Sequence, residues 1–392
     1  MREVTPQSNI YGVKLIATMG RHMPEATFIV QFTEFHGFLV KQRYPTSLTV
    51  TEKMLNLIFL EHQKDKKEEL LYSAIEGMNI ASYSSALYPG WMVCSIIGAE
   101  ENFELIRAEL AGSGRLILAL IAVDAESFSL QEILEHGSIL EDLSEEQKLA
   151  QVFLTPSSAL LLERMQTECI EKAAKLSIWL RTQIQNDEVD LREAMAPLME
   201  SGVVKVELLG KTSEMVFLVK DVFGYREPPV ESIMKTKETI SSITETYAEF
   251  VSDFFSPPPP NKGYNPTLPV DDPNSPILED REKISKILAE RLQYRVLTSL
   301  RAQPLSIVDI SQTTSLPVSV VTKVLFALEA DKVAIRFEEE DLWGLLTNPI
   351  IEPFMPEYVL PVIAKKLSEK EISPEAARRH LELLMQTWGE AK

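Results

Sequence analysis

Only two of the 392 residues are cysteine, Cys94 and Cys169, far apart in the chain. That excludes a disulfide framework and fits a reducing compartment. Both read as small buried apolar residues, the common state of free cysteine. Histidine is scarce too: His22, His36, His62, His136 and His380 fall at no metal-binding spacing, and neither HExxH nor CxxC occurs. Zinc and cysteine chemistry are not expected. His36 and His62 read as a turn residue and a helix-end residue. The compact glycine stretch "AGSGR" (111–115) lacks the wider glycine spacing and the Lys-Ser/Thr of a phosphate loop, and reads instead as a helix break. Carboxylate pairs such as Glu100 and Glu101 have no companion acid, base or oxyanion feature, so no catalytic residue and no cofactor is assigned.

Long apolar runs are missing as well. "LILALIAV" (116–123) is far short of the ~20 residues that a bilayer requires, so no membrane span is expected. The opening "MREVTPQSNIYG" has no apolar core of signal length, which makes the cytoplasm the expected location. Positive charge is in deficit, with 39 basic residues against 58 acidic and a net charge of −19. Such a chain repels nucleic acid and anionic lipid unless a local basic patch overrides the mean. No such patch is visible.

What is present is punctuated apolar pattern. At ~100–200 residues per domain the chain should hold two to four domains. "FIVQFTEFHGFLVKQRY" (28–44) places two β-rich runs around a turn, and "TVTEKMLNLIFLEHQK" (49–64) opens a helix with Thr49 and Glu52 at capping-box spacing. Strands around 75–83 and 91–97 and a helix over about 102–121 follow. The expected order is strand, strand, helix, strand, strand, helix, with the helices on one side of an antiparallel sheet. This order over 1–125 resembles the longin and roadblock families of small α/β domains. The resemblance implies a role in trafficking or as a platform for small GTPases, and hence a protein partner, either a small GTPase or a second copy of the chain. A generic two-layer α/β domain with another role stays open beside it, because one architecture hosts many functions.

Residues 125–146 hold seven acids and no Lys or Arg, the pattern of a solvated connector. A long helical region over 157–184 leads to "DLREAMAPLMESGVVKVELLGKTSEMVFLVKDV" (190–222), which reads as a helix, a glycine turn at Gly202 and two strands about the tip "GKTS". This is the pattern of a winged helix. A second and clearer one follows: helices over 286–302, 306–314 and 317–330, then the hairpin "VAIRFEEEDLWGLL" (333–346). The stretch "ISQTTSLPVSVVTKVLFALEADKV" is similar to the helix-turn-helix core of many archaeal and bacterial regulators. The junctions "LMESGVVKV" (198–206) and "LEADKVAI" (328–335) echo each other, which points to two divergent copies. Between the copies lie a helix over 230–255 and a segment with eight prolines, 256–276. Proline gives up its amide hydrogen, so this segment reads as an extended, semi-rigid spacer.

The expected architecture is therefore α+β and multidomain: a longin- or roadblock-like domain (1–125), an acidic connector with the first winged helix (126–229), an amphipathic helix (230–255), a proline-rich linker (256–280), the second winged helix (281–350) and a C-terminal helical hairpin (351–392). In that hairpin Ser373 is read as N-cap and Pro374 as the first helical residue, with Ala377, Leu381, Leu384 and Met385 forming an apolar face.

DNA contact would require phosphate neutralisation and polar side chains on the reading helix. Residues 281–350 hold nine basic and nine acidic residues, and 171–229 hold eight against ten. Ser319, Thr322 and Lys323 are the residues that could reach a base if the chain were a transcriptional regulator with an N-terminal sensor domain. Against that, Glu338, Glu339, Glu340 and Asp341 sit at the hairpin tip, where like charge repels phosphate within a Debye length. The tip is either a solvated turn or an interaction site. Ile240, Ile243, Tyr247, Phe250 and Phe254, spaced 3, 4, 3, 4, form one stripe that must bury against its own chain or form a dimer seam. Tandem winged helices without basic surfaces resemble the protein-interaction modules of trafficking and assembly complexes, and the expected function is that of a non-enzymatic adaptor.

Overall fold

The computed structural model describes residues 24–389, except 65–68, 125–127, 137, 211–212, 261, 270–271 and 273–274. The chain is mixed α+β and divides into two compact units, residues 1–141 and 142–392.

In the first unit, strands β1 (Ala26–Thr33) and β2 (Gly37–Tyr44) precede helix α1 (Glu52–Lys64); then come β3 (Leu70–Ile75), β4 (Met78–Ser84), β5 (Trp91–Ile97), α2 (Phe103–Asp124) and α3 (Leu130–His136). The sheet order is β2-β1-β5-β4-β3, antiparallel throughout. Alternation along a strand sends neighbours to opposite faces. Phe28, Val30, Ile80, Met92, Cys94 and Ile96 form one face and pack with Met54, Leu55 and Ile58 of α1. Tyr83 points to the other face, where α2 lies so close that a Cβ on Gly114 would stand 2.6 Å from its ring. The helices thus cover both faces, not one.

Three further expectations change. The run around 75–83 is a hairpin, because Glu76 and Gly77 both take left-handed backbone (φ 52° and 81°) and reverse the chain between Ile75 and Met78. Thr51 caps α1, its Oγ1 accepting from Met54 N–H at 3.1 Å, in place of Thr49. "AGSGR" lies inside α2 and breaks nothing. The acidic connector also packs: Phe128, Leu130, Ile133, Leu134 and Leu140 are buried, and Leu140 N–H donates to Gly112 O.

The second unit contains two copies of one motif. The first copy is α5 (Pro156–Glu168), β6 (Ile170–Lys172), α6 (Ala173–Ile184), α7 (Leu191–Glu200), β7 (Val204–Leu209) and β8 (Ser213–Leu218), preceded by α4 (Glu145–Gln151) and followed by β9 (Asp221–Glu227) and the helical arm α8 (Val230–Thr239) and α9 (Thr244–Phe255). The second is α11 (Arg291–Ala302), α12 (Ile307–Thr314), α13 (Val318–Ala330), β10 (Ala334–Phe337) and β11 (Leu342–Leu345), preceded by α10 (Ile277–Ala289) and followed by β12 (Asn348–Phe354) and the arm α14 (Val359–Ser368) and α15 (Pro374–Trp388). The sheet of the first copy runs β6-β8-β7. In the second, a bridge from Leu305 to Trp343 stands where β6 would, giving the same order. The backbone repeats in detail. Val203 N–H donates to Leu198 O at 2.9 Å and Val333 N–H to Leu328 O at 2.8 Å. Gly202 and Lys332, just before them, both have positive φ (68° and 57°). The Val203 carbonyl accepts from Val219 and Lys220; the Val333 carbonyl accepts from Leu346 and Thr347.

Those bonds make Val219 equivalent to Leu346, and counting onward makes Asp221 equivalent to Asn348 and Glu227 to Phe354. In the ribbon that β9 forms with β12, Asp221 faces Phe354, Asn348 faces Glu227, and the equivalent residues Gly224 and Ile351 face each other. Exchanging the copies maps this ribbon onto itself, the self-complementary contact of a twofold dimer within a single chain. Helices α4 and α10 pack on each other and on the ribbon. The arms are exchanged as well. Tyr247 on α9 donates to Leu345 O of the second copy at 2.8 Å, and His380 on α15 donates through Nε2 to Leu218 O of the first at 2.7 Å. Leu218 and Leu345 are equivalent positions, so each copy is clamped by the arm that follows the other.

This corrects the reading of 256–276 as a spacer between rigid bodies. Strands from both sides of it pair with each other, and Tyr264 ties it down by donating N–H to Phe254 O (3.2 Å) and accepting from Arg226 N–H (3.0 Å). The helical region 157–184 is interrupted at Cys169 (φ 63°) by β6, and the helix over 230–255 breaks at Ile240, whose φ of −141° is not helical. In α15 Ser373 caps as expected, accepting from Ala376 N–H at 3.1 Å, but Leu381 and Met385 face solvent while Ala376, Ala377, His380, Leu383 and Leu384 are buried.

Candidate interaction surface

The acidic tip is an exposed turn. Glu338, Glu339 and Glu340 form no ion pair among the described residues, and Asp341 (φ 52°) accepts from Arg336 Nη2 at 2.9 Å. The Arg336 guanidinium also lies 5.9 Å from the centre of the ring of Trp343, its partner on β11, so the one cation of this hairpin is turned across onto the neighbouring strand. The tip therefore projects three carboxylates into solvent from a rigid base: Phe337 and Trp343 at its foot are both buried.

The helix preceding that hairpin is poorly suited to bases. Ser319 and Lys323 are exposed on α13, but the Thr322 hydroxyl donates to Val318 O at 2.8 Å and is spent within its own helix. Beside them stand Val318 and Phe326, 50% and 51% exposed. In the first copy α7 exposes Arg192 against Glu193 and Glu200, carries Pro197 in its interior and leaves Met199 46% exposed. The α13 surface sets one lysine beside two apolar side chains, and the α7 surface sets one arginine between two acids and an exposed methionine. The tip residues Lys211 and Thr212 of the first hairpin lie outside the described residues.

The stripe of 230–255 resolves in favour of its own chain for the residues that are buried. Ile243 and Tyr247 form a core with Val251 and Phe337, joined by half-buried Ile240 from the break. Tyr247 is held on both sides, with Ser232 Oγ 3.2 Å from its hydroxyl, and burial pushes its pKa up to about 12. Phe254 stacks on Tyr264 at 5.7 Å, and Phe250 remains 41% exposed. Ile243 and Tyr247 are thus unavailable for a dimer seam.

Two histidines have structural tasks that spacing does not disclose. His62, read as a helix-end surface or capping residue, is buried with Nε2 2.9 Å from Ser82 Oγ and Nδ1 3.0 Å from Ser84 Oγ, linking α1 to β4; burial lowers its pKa. His380 is fully buried, meets Phe217 edge-on and has its pKa lowered to about 4 by burial. His36 lies exposed in the β1–β2 turn. Cys94 and Cys169 are buried and burial raises both thiols, Cys169 to about 11, which leaves them protonated and unreactive. Among the described residues no group of three or more His, Cys, Asp or Glu could hold a metal ion, and no single helix is long and apolar enough to cross a membrane.

Sequence reasoning missed the ion pairs that lock the second unit. Arg226 is buried and forks onto Asp280 (2.9 and 3.0 Å) while its Nη1 donates to the carbonyls of Asp331 and Lys332 at the end of α13. Arg301 forks onto Glu146 at 2.9 Å and reaches Pro349 O. Each joins elements more than fifty positions apart, beyond the reach of any local pattern. Compared with known families and with curated proteins, the chain matches none.

Proposed function

We propose that the chain is a non-enzymatic protein-interaction adaptor, with a longin- or roadblock-like first unit and a second unit built from two winged helices. The element order of the first unit, with its first and last strands paired at the centre of the sheet, supports the longin or roadblock likeness. In both copies of the second unit the helix–strand–helix–helix–hairpin order supports the winged-helix assignment. One observation carries the functional reading: the surfaces that a DNA-binding winged helix would present to phosphate carry Glu338, Glu339 and Glu340 at the hairpin tip, and Val318 and Phe326 on the helix. Phosphate contact needs cations there. The same features suit a protein partner that brings basic residues to the tip, and the first unit is the proposed seat of a small GTPase or a second copy of itself.

The test replaces Glu338, Glu339 and Glu340 together by lysine and leaves Asp341, which pairs with Arg336, in place. Exposed charge changes of this kind shift stability by about 1 kcal/mol or less, so the variant is expected to fold. Partners captured by the natural chain from native lysate should be lost by the variant, which should also gain weak, salt-sensitive, sequence-independent affinity for duplex DNA. Retention of every partner would remove the tip from the interaction surface.

A further inference from the structure

The exchanged arms close differently on the two copies. Over the second copy, Ile233 and Ile240 of the arm pack with Ile335 and Leu342 around Phe337 and fill the space beneath the turn. Over the first copy the turn is longer. Aligning the arms through Tyr247 and His380, which reach equivalent carbonyls, places Ser373 opposite Ile240. Helix α8 ends directly before Ile240, whereas α14 ends at Ser368 and residues 369–372 intervene. Beneath this longer turn lies a cavity of about 690 Å³, walled by β6, the start of α6, the facing ends of β7 and β8 and the turn itself. That volume lies within the range of small-ligand sites, roughly 300–1,000 Å³.

Its wall is ionic where the second copy is not. Glu171 is buried and accepts from Arg164 at 2.8 and 3.0 Å and from Lys175 at 2.6 Å. Burial pushes its carboxyl up, and the bonds from Arg164 and Lys175 outweigh this and hold it below the usual range. Glu168 pairs with Arg164 at 3.1 Å and with Lys366, whose Nζ also donates to Ile170 O. The buried members balance, Arg164 and Lys366 against Glu168 and Glu171, while Lys175 carries a further positive charge outward, with 63% of its side chain exposed. Lys172 and Lys370 stand exposed among the lining residues, together with Glu371 and Glu375. In the second copy, strand pairing puts Leu305 at the place of Glu171, and with it Ser306 and Asp309 at those of Lys172 and Lys175. Along the cavity itself Lys172, Lys175, Lys366 and Lys370 stand against Glu171, Glu371 and Glu375, so its lining is net positive.

We propose that this cavity binds an anionic group, a carboxylate or a phosphate, carried on a small, partly apolar molecule. The anion meets the ammonium groups of Lys172, Lys175 and Lys370, and the apolar part lies against Leu209, Met215 and Ile372. The chain that lines the site belongs to the first copy and to the arm that follows the second, so occupancy would brace the α14–α15 turn against the first copy.

Calorimetric titration of the full chain with phenyl phosphate, benzoate and inorganic phosphate tests this. Phenyl phosphate or benzoate should bind saturably at low-millimolar concentration or tighter, and inorganic phosphate more weakly; the tighter of the first two identifies the anion. Lys172→Glu and Lys370→Glu alter exposed side chains and should each weaken binding by about tenfold, one charge contact's worth. Lys283→Glu, away from the cavity, should leave it unchanged. Absence of saturable binding by phenyl phosphate and benzoate, or equal binding by the Lys172 and Lys370 variants, overturns the proposal.

Discussion

In its neutral form His380 holds the α15 arm on the first copy. Its Nε2–H donates to Leu218 O, and its Nδ1 is buried without a hydrogen-bond partner among the described residues. Burial depresses the folded pKa to about 4 from 6.5. A depressed pKa means that the unfolded chain takes up the proton first, so the stability tied to neutral His380 is full above pH 6.5 and is lost as pH falls toward 4. Thermal unfolding of the natural chain should show a falling midpoint across that window. His380→Gln should have a shallower slope there; an unchanged slope would mean that the imidazole is not buried neutral. His62 contributes with the same sign, which is why the variant should reduce the slope and not abolish it. Neither role was legible in the sequence. A histidine's spacing to other ligands excludes a metal, but its burial depends on what a distant segment lays over it.

Helices and hairpins show where local pattern suffices. The β1–β2 hairpin, the Ser373 cap and the β10–β11 hairpin with its acidic turn were all legible, because turn chemistry and alternation are local. The Ile240 break was not: heptad spacing across 240–254 fits one continuous helix, and only packing against Phe337 makes the kinked path preferable. The glycines of "AGSGR" misled for the same reason, since Gly114 serves close approach to Tyr83 and not helix termination. The arm itself makes a prediction. Tyr247→Phe leaves the buried Leu345 carbonyl without its donor, at a cost of roughly 1–3 kcal/mol, measurable by denaturant unfolding. A change near zero would mean that the α9 clamp is held by its apolar contacts alone.

The duplication was half legible: the echo of "LMESGVVKV" in "LEADKVAI" marked two copies, while their pairing through β9 and β12 and the exchange of arms join residues too far apart for any sequence window. Because both sides of 256–276 belong to one body, a protease cut within that segment should leave the two fragments together on native gel filtration and separate them only in denaturant. Fragments eluting apart without denaturant would restore the picture of two bodies on a tether. The functional account rests on what the two copies present outward. The most direct measurement is retardation of duplex DNA by the purified natural chain at physiological salt: an adaptor with the acidic tip of Glu338, Glu339 and Glu340 should leave the duplex unshifted, and tight binding would contradict the account in favour of a transcriptional regulator contacting DNA through Ser319 and Lys323.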